Sequence, residues 1–398
     1  MIIAIDASRS VKTIQKTGVE KVSDELIKEI EKLRNKEIKE NEIKIIFYTP
    51  KQIDWLPQEN PAQPTQSCGA SQKILHWPFK FLWTQIRLAW ELIFHPPQVM
   101  FFPVHSLPLL LIISSVLSFP RKRESRNKIK ENWIPDQVGD DNKKTRYYKI
   151  IHDIAFKKQP QLYSLKQRLI LNLDLWLAKK LCTKIFVPTK AVKNDILSFC
   201  HPRESEDLIN KIIVTPWGYK IHNNELRIMN YAERKKQILY IGRVEEKKNI
   251  NNLIKAFEIF SKTHPDYKLI LAGKIDLNFQ NHPHFCHSRA GGNPEINTWI
   301  PDQVGDDNAN IEFLGFITEE KKHELLRESS ALVLVSKEEG FGFPILEAFD
   351  FGLPVIASDI PVLQEVGGNA CLYVNPNSPE EIAEKMCFVG TGLDLSTK

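Results

Sequence analysis

At 398 residues, 42% apolar and 26% charged, the chain is long enough for two domains with sizeable cores and has the balance of an ordinary globular protein. Its formal net charge of +5 suits an anionic surface or a phosphorylated ligand and falls well short of a nucleic-acid footprint, so no nucleic-acid partner is expected. The six cysteines, Cys68, Cys182, Cys200, Cys286, Cys371 and Cys387, form no C-x-x-C pair, which points away from a zinc site or a disulfide framework and toward a reducing compartment.

Residues 1–8, MIIAIDAS, open on a strand with no basic stretch of a signal peptide before it, so a cytoplasmic location is expected. Val19, Val22, Leu26, Ile27, Ile30 and Leu33 then recur on one face of a helix, with Gly18 at its start. Residues 43–48 read as a second strand and 57–71 as a polar, proline-bearing loop. Over 81–94, Leu82, Ile86, Leu88, Trp90 and Ile93 beside Lys80 and Arg87 make an amphipathic helix, suited to a membrane or a partner, with core packing the preferred use. A strand at 99–104 leads into His105-Ser106-Leu107-Pro108. The apolar run 107–119 is too short to span a bilayer and reads as a buried helix or a strand pair. Residues 149–151 end in His152-Asp153, at the C-terminal end of an apolar strand, where α/β sheets place ligand contacts. Strands at 185–187 and 212–214 come next, the second running into Pro216-Trp217-Gly218-Tyr219.

Polar residues 223–236 read as a linker, dividing the chain into domains at 1–222 and 237–398. Strands are then expected at 238–242, 268–273, 311–315, 331–335, 354–358 and 371–374, with helices at 250–262 and 318–328. Such alternation implies a second parallel, doubly wound sheet. After the first of these strands, Arg243 and Lys248 bring a guanidinium fork and an ammonium that suit a diphosphate, with Lys247 the competing choice of lysine. The loop lacks the G-x-x-x-x-G-K pattern of a nucleotide triphosphatase.

The most informative stretch is 331–365. A continuous apolar strand is followed by a loop spaced by Gly340 and Gly342; Pro344 then suits a first helical turn, and Gly352 with Pro354 stops the helix after about two turns. The free N–H groups at such a helix start receive anionic or hydroxyl-rich ligands. Glu339 stands before the helix and Glu347 within it. Either they hold two parts of one ligand, as suits a sugar-nucleotide, or Glu339 complements the helix dipole and Glu347 is solvated.

Glu339 and Glu347, with Gly-Phe-Gly-Phe-Pro between them and Gly-Leu-Pro-Val-Ile-Ala-Ser after them, resemble the donor-site signature of family 4 glycosyltransferases. The resemblance implies the GT-B fold, two Rossmann-like doubly wound parallel-sheet domains facing a cleft, with the acceptor held by the first domain and a nucleotide-sugar by the second. It implies retaining transfer of a hexosyl unit, mannosyl favoured, to a glycan or lipid-linked acceptor in cell-envelope polysaccharide synthesis, with peripheral contact at the inner face of the membrane. Arg243 and Lys248 would then meet the diphosphate, and Gly18 would let the first loop approach it. Glu347 would hold the ribose. Glu339, with Gly340, Phe341, Gly342 and Phe343, would hold the sugar. His152 and Glu339 would be the catalytic pair, with His105 and Asp153 toward the acceptor. No cofactor and no metal are implied, because the two cations would stabilise the leaving diphosphate. An epimerase or hydrolase of the same fold, or a catalytically impaired remnant, are the alternatives.

Two features depart from that family. The decapeptide WIPDQVGDDN occurs at Trp133–Asn142 and again at Trp299–Asn308, too far apart for a solenoid period, and resembles a mobile or palindromic element inserted in frame, about 120–145 and 280–308. Near the end, the helical pattern from Glu380 is expected to give way at Cys387, as a truncated C-terminus would.

Overall fold

The computed structural model describes residues 1–11, 18–37, 43–56, 70–78, 82–104, 107–111, 145–200, 202–219, 233–275 and 310–390. Both decapeptides, His105, most of the expected linker and the residues after Gly390 lie outside these.

The chain folds into two compact units. The first comprises 1–151, 163–187 and 200–213. Its strands are β1 (Ile2–Asp6), β2 (Lys44–Thr49), β3 (Ala70–Ile74), β4 (Val99–Phe102), β5 (Arg146–Ile150), β6 (Cys182–Val187) and β7 (Ile212–Val214), in the order β3-β2-β1-β4-β5-β6-β7. The pairings of β1 with β2 and β4, of β2 with β3, and of β5 with β4 and β6 are parallel. Apolar runs such as Ile45–Tyr48 are buried on both faces, as a sheet covered on two sides requires. Ile5, Ile27, Ile45 and Phe47 make part of the core beneath the Gly18–Glu37 helix, whereas Leu33 is exposed.

β3 has no counterpart among the expected strands. Its sequence, ASQKI, is polar, and tertiary bonds hold it: buried Gln72 donates to Thr49 Oγ1 at 2.8 Å and to the Lys51 carbonyl at 3.0 Å. The 81–94 region is helical as expected, with a π-helical turn over Trp83–Leu88 continuing as Ala89–Phe94. Its expected core role holds for one side only. Trp83, Leu88 and Leu92 are buried, while Leu82, Ile86, Trp90 and Phe94 are exposed.

The second unit comprises 152–162, 188–199 and 214–398. Its strands are β8 (Gln237–Ile241), β9 (Lys268–Ala272), β10 (Ile311–Gly315), β11 (Ala331–Leu334), β12 (Val355–Ser358) and β13 (Cys371–Val374), all parallel in the order β10-β9-β8-β11-β12-β13. In this order the sheet runs one way from β8 through β9 and the other way from β11, so its topological switch point lies between β8 and β11.

Arg234, at the end of the stretch read as a linker, is buried in this unit. Its guanidinium donates to the carbonyls of Arg327 and Ser329 at 3.0 Å, Phe351 at 2.9 Å and Gly352 at 3.1 Å. It therefore closes the C-terminal ends of two helices, Glu319–Glu328 and Phe343–Asp350, where a cation complements the dipole. The final helix also differs from expectation, running from Pro379 to Gly390 without giving way at Cys387. Ile382, Met386 and Val389 extend the helical period and are buried in the core, and the helix packs on Ile250–Ser261.

Candidate active site

Two loops leave the sheet of the second unit at its switch point. After β8 comes Arg243, whose carbonyl accepts a hydrogen bond from the buried Tyr240 hydroxyl at 2.8 Å. The Arg243 guanidinium is half-exposed, 3.7 Å from Glu245. A short turn, Glu246–Lys248, comes next and ends on Asn249 in the left-handed region at φ 60°. The Asn249 side chain donates to the Val335 carbonyl at 3.0 Å and to that of Pro376 at 2.6 Å, which fixes the turn against the end of β11.

After β11 comes 336–342, bound to the first loop by Lys337 N–H donating to the Lys247 carbonyl at 3.0 Å. Lys248 Nζ lies 2.6 Å from Glu339 Oε1, which also accepts from the Ser336 hydroxyl at 2.7 Å. Gly342 caps the Phe343–Asp350 helix at φ 100°, a conformation a side chain resists, and Pro344 stands in the first turn as its missing N–H allows.

Within the same unit, His152 and Asp153 come against these loops. A Cβ at Gly340 would lie 2.3 Å from the His152 carbonyl oxygen, so this loop closes on 152–153 only with glycine there. Asp153 accepts from Lys247 Nζ at 2.9 Å and from Ala155 N–H at 3.0 Å. Burial pushes the Asp153 carboxyl up, but the charge and hydrogen bond of Lys247 outweigh it and hold the group down at about 2. The His152 ring sits 4.9 Å from Trp217, which stacks on Phe343 at 5.5 Å and contacts Phe341 at 5.3 Å.

The expected residues thus fall into groups. His152, Asp153, Lys248, Glu339, Gly340, Phe341 and Phe343 come together, and the two candidate lysines separate in role, Lys247 on Asp153 and Lys248 on Glu339. Glu347 takes a different partner: Lys322 Nζ bonds it at 2.6 Å and Glu319 at 2.6 Å. Burial works against the Lys322 ammonium, yet the charge of Glu347 and its bonds to both carboxylates raise it above the ordinary lysine range. Gly18 belongs to the first unit, exposed at a helix start with no atom within 4 Å of a would-be Cβ. His105 is outside the described residues.

Two residues here carry no role in the sequence reading. Trp217 is visible only as part of a loop after a strand, and Lys322 is hidden in the charged run Glu319–Glu324, where nothing marks it as buried.

Both sheets have the strand order of a doubly wound parallel sheet, and the second carries a lysine–carboxylate pair at its switch point. Residues 223–389 match the model of the family described as glycosyl transferases group 1. The chain is 33% identical over 146 residues to O-antigen chain mannosyltransferase B of Escherichia coli, covering 36% of this chain and 34% of that one. It is 25% identical to an uncharacterized glycosyltransferase of Methanocaldococcus jannaschii, over 63% of each. The chain thus spans between about a third and somewhat under two thirds of the length of these two curated relatives. The fold is shared with Anabaena HepE, solved in complex with UDP and glucose, at a TM-score of 0.58 and 15% identity, covering 99% of this chain and 90% of that one.

Proposed function

We propose that the chain transfers a hexosyl unit, mannosyl favoured, from a nucleotide-sugar to a glycan or lipid-linked acceptor of the cell envelope, with retention of configuration and without a metal. The observation that carries this reading is the Lys248–Glu339 pair at the switch point of the second sheet, with half-exposed Arg243 on the same loop as Lys248. A diphosphate arriving there takes Lys248 and half-exposed Arg243, and by taking the lysine it releases Glu339 to accept hydrogen bonds from sugar hydroxyls. Both cations then oppose the negative charge that grows on the departing diphosphate. Glu347, oriented by Lys322, accepts from the ribose, and His152 stands near the transferred sugar on the Trp217 platform. The Escherichia coli relative's name supports mannosyl; loop chemistry rather than fold selects the sugar.

Calorimetry with UDP and with GDP tests this reading. Arg243→Ala and Lys248→Ala should each weaken binding of the preferred diphosphate roughly ten-fold or more. Unchanged affinity in both variants overturns it. Radiolabelled sugar transfer from the matching sugar-nucleotide, with and without a glycan acceptor, then separates a transferase from a hydrolase or epimerase.

A further inference from the structure

Glu347 shares its lysine with a second acid. Lys322, buried on the Glu319–Glu328 helix, places its Nζ 2.6 Å from Glu347 Oε1 and 2.6 Å from Glu319 Oε2, so the two carboxylates are held within one ammonium's span of each other. Thr318 caps that helix, accepting from Lys321 N–H at 3.3 Å, which fixes the turn that carries Glu319. The two acids differ in access: the Glu347 side chain is 17% exposed and that of Glu319 is 52% exposed. Lys322 brings one positive charge against the two negative charges it bridges. The Tyr219 hydroxyl reports the same surroundings, donating to Asp350 Oδ2 at 3.2 Å, while burial and the charges of Asp350, Glu347 and Glu319 raise its pKa above the ordinary tyrosine range. This corner of the second unit therefore accepts hydrogen bonds and repels other acceptors.

An acid beside a ribose contact is in place to read the base. On the edge nearest the ribose, adenine and the pyrimidines present only acceptors, whereas guanine adds its N2 amino donor. An ionised carboxylate accepts and never donates, so next to that edge it favours guanine and repels the oxygen or ring nitrogen that the other bases place there. We propose that Glu319, fixed by Lys322 beside Glu347, accepts from the amino group of guanine, and that the nucleotide-sugar taken by this chain is a guanosine diphosphate sugar. A carboxylate has about four acceptor positions, so the bond from Lys322 leaves Glu319 the capacity for a further donor. The proposal rests on the reading of Glu347 as the ribose acceptor and adds to it the choice of base.

Calorimetry with GDP, UDP, ADP and inosine diphosphate, which is GDP without the amino group, tests it. GDP should bind about ten-fold or more tighter than the other three. Glu319→Ala should bring GDP down to the affinity of inosine diphosphate and leave the latter unchanged. The variant should keep its cooperative melt, because Lys322 retains Glu347 and Thr318 retains its cap. Equal affinity for GDP and inosine diphosphate, or tighter binding of UDP, overturns the assignment of the base. If Arg243→Ala and Lys248→Ala still weaken that binding, the diphosphate reading stands without it. An equal loss for every diphosphate in Glu319→Ala marks a structural role and also overturns it. Failure to bind any of the four overturns both readings.

Discussion

The two units share a strand order and differ in the turn that leaves the first strand. After β1, Asp6 folds back on its own turn, accepting from Ser8 N–H at 3.1 Å and from the Ser8 hydroxyl at 2.6 Å. After β8, the corresponding loop sends out Arg243 half-exposed and supplies Lys248, and the loop after β11 supplies Glu339. The first unit leaves apolar residues of two helices outside, Leu165 and Leu169 on one and Trp90 and Phe94 on the other; the second gathers charge at the sheet's switch point. One topology therefore carries exposed apolar helix faces in one half and a charged pair at a switch point in the other. The difference lies in short loops and helix faces, not in the sheets.

The comparison is broken most severely at Arg234. Replacing it with Ala leaves the carbonyl ends of two helices without their buried donors, at a cost of about 3 kcal/mol. Amide exchange should speed up across β8 to β13 and stay unchanged in β1 to β7. Equal loosening of both sheets would show that the two units do not unfold separately.

A smaller effect sharpens the electrostatic side. Asp153 has a carboxyl pKa near 2 in the folded protein against an ordinary 3.8, so its pairing contributes stability above pH 3.8 that is lost as pH falls through about 2. That shift corresponds to roughly 2 kcal/mol. Denaturation of the native protein and of Asp153→Asn should therefore differ by a constant amount above about pH 5, and the gap should close toward pH 2. A gap that persists undiminished at pH 2 would remove Lys247 as the cause.

Much of the second unit is legible from sequence, because most of its strands are short apolar runs ended by glycine or a polar residue, and buried parallel strands look like that. The Glu339 and Glu347 spacing is equally readable. Their partners are not: Lys247 meets Asp153 across 94 positions, and Lys322 meets Glu347 across 25, distances over which no local pattern reports. β3 escapes because its central side chains are polar, and it is its pairing with β2, with the bonds of Gln72 to Thr49 and Lys51, that makes it a strand. The Leu165–Leu181 helix escapes for the opposite reason. Leucines lie on its inner and outer faces alike, so no single stripe stands out.

The smallest expected effect belongs to the repeated decapeptides, and it treats both units alike. One copy lies between β4 and β5, the other between β9 and β10, and in each case the flanking strands are parallel neighbours. A parallel pair needs a crossover of about a dozen residues or more to carry the chain back to the starting edge. Excising 120–142 leaves about 20 residues between Phe102 and Arg146, and excising 286–308 leaves about 15 between Ala272 and Ile311, so both crossovers remain long enough. Halving a loop changes its closure entropy by only about 0.6 kcal/mol, in the stabilising direction. Each deletion should therefore give a soluble protein with a cooperative melt within a few degrees of the full chain. If one deletion melts cooperatively and the other does not, the two copies are not equivalent passengers, and the copy whose loss destroys the melt has become part of its unit's fold.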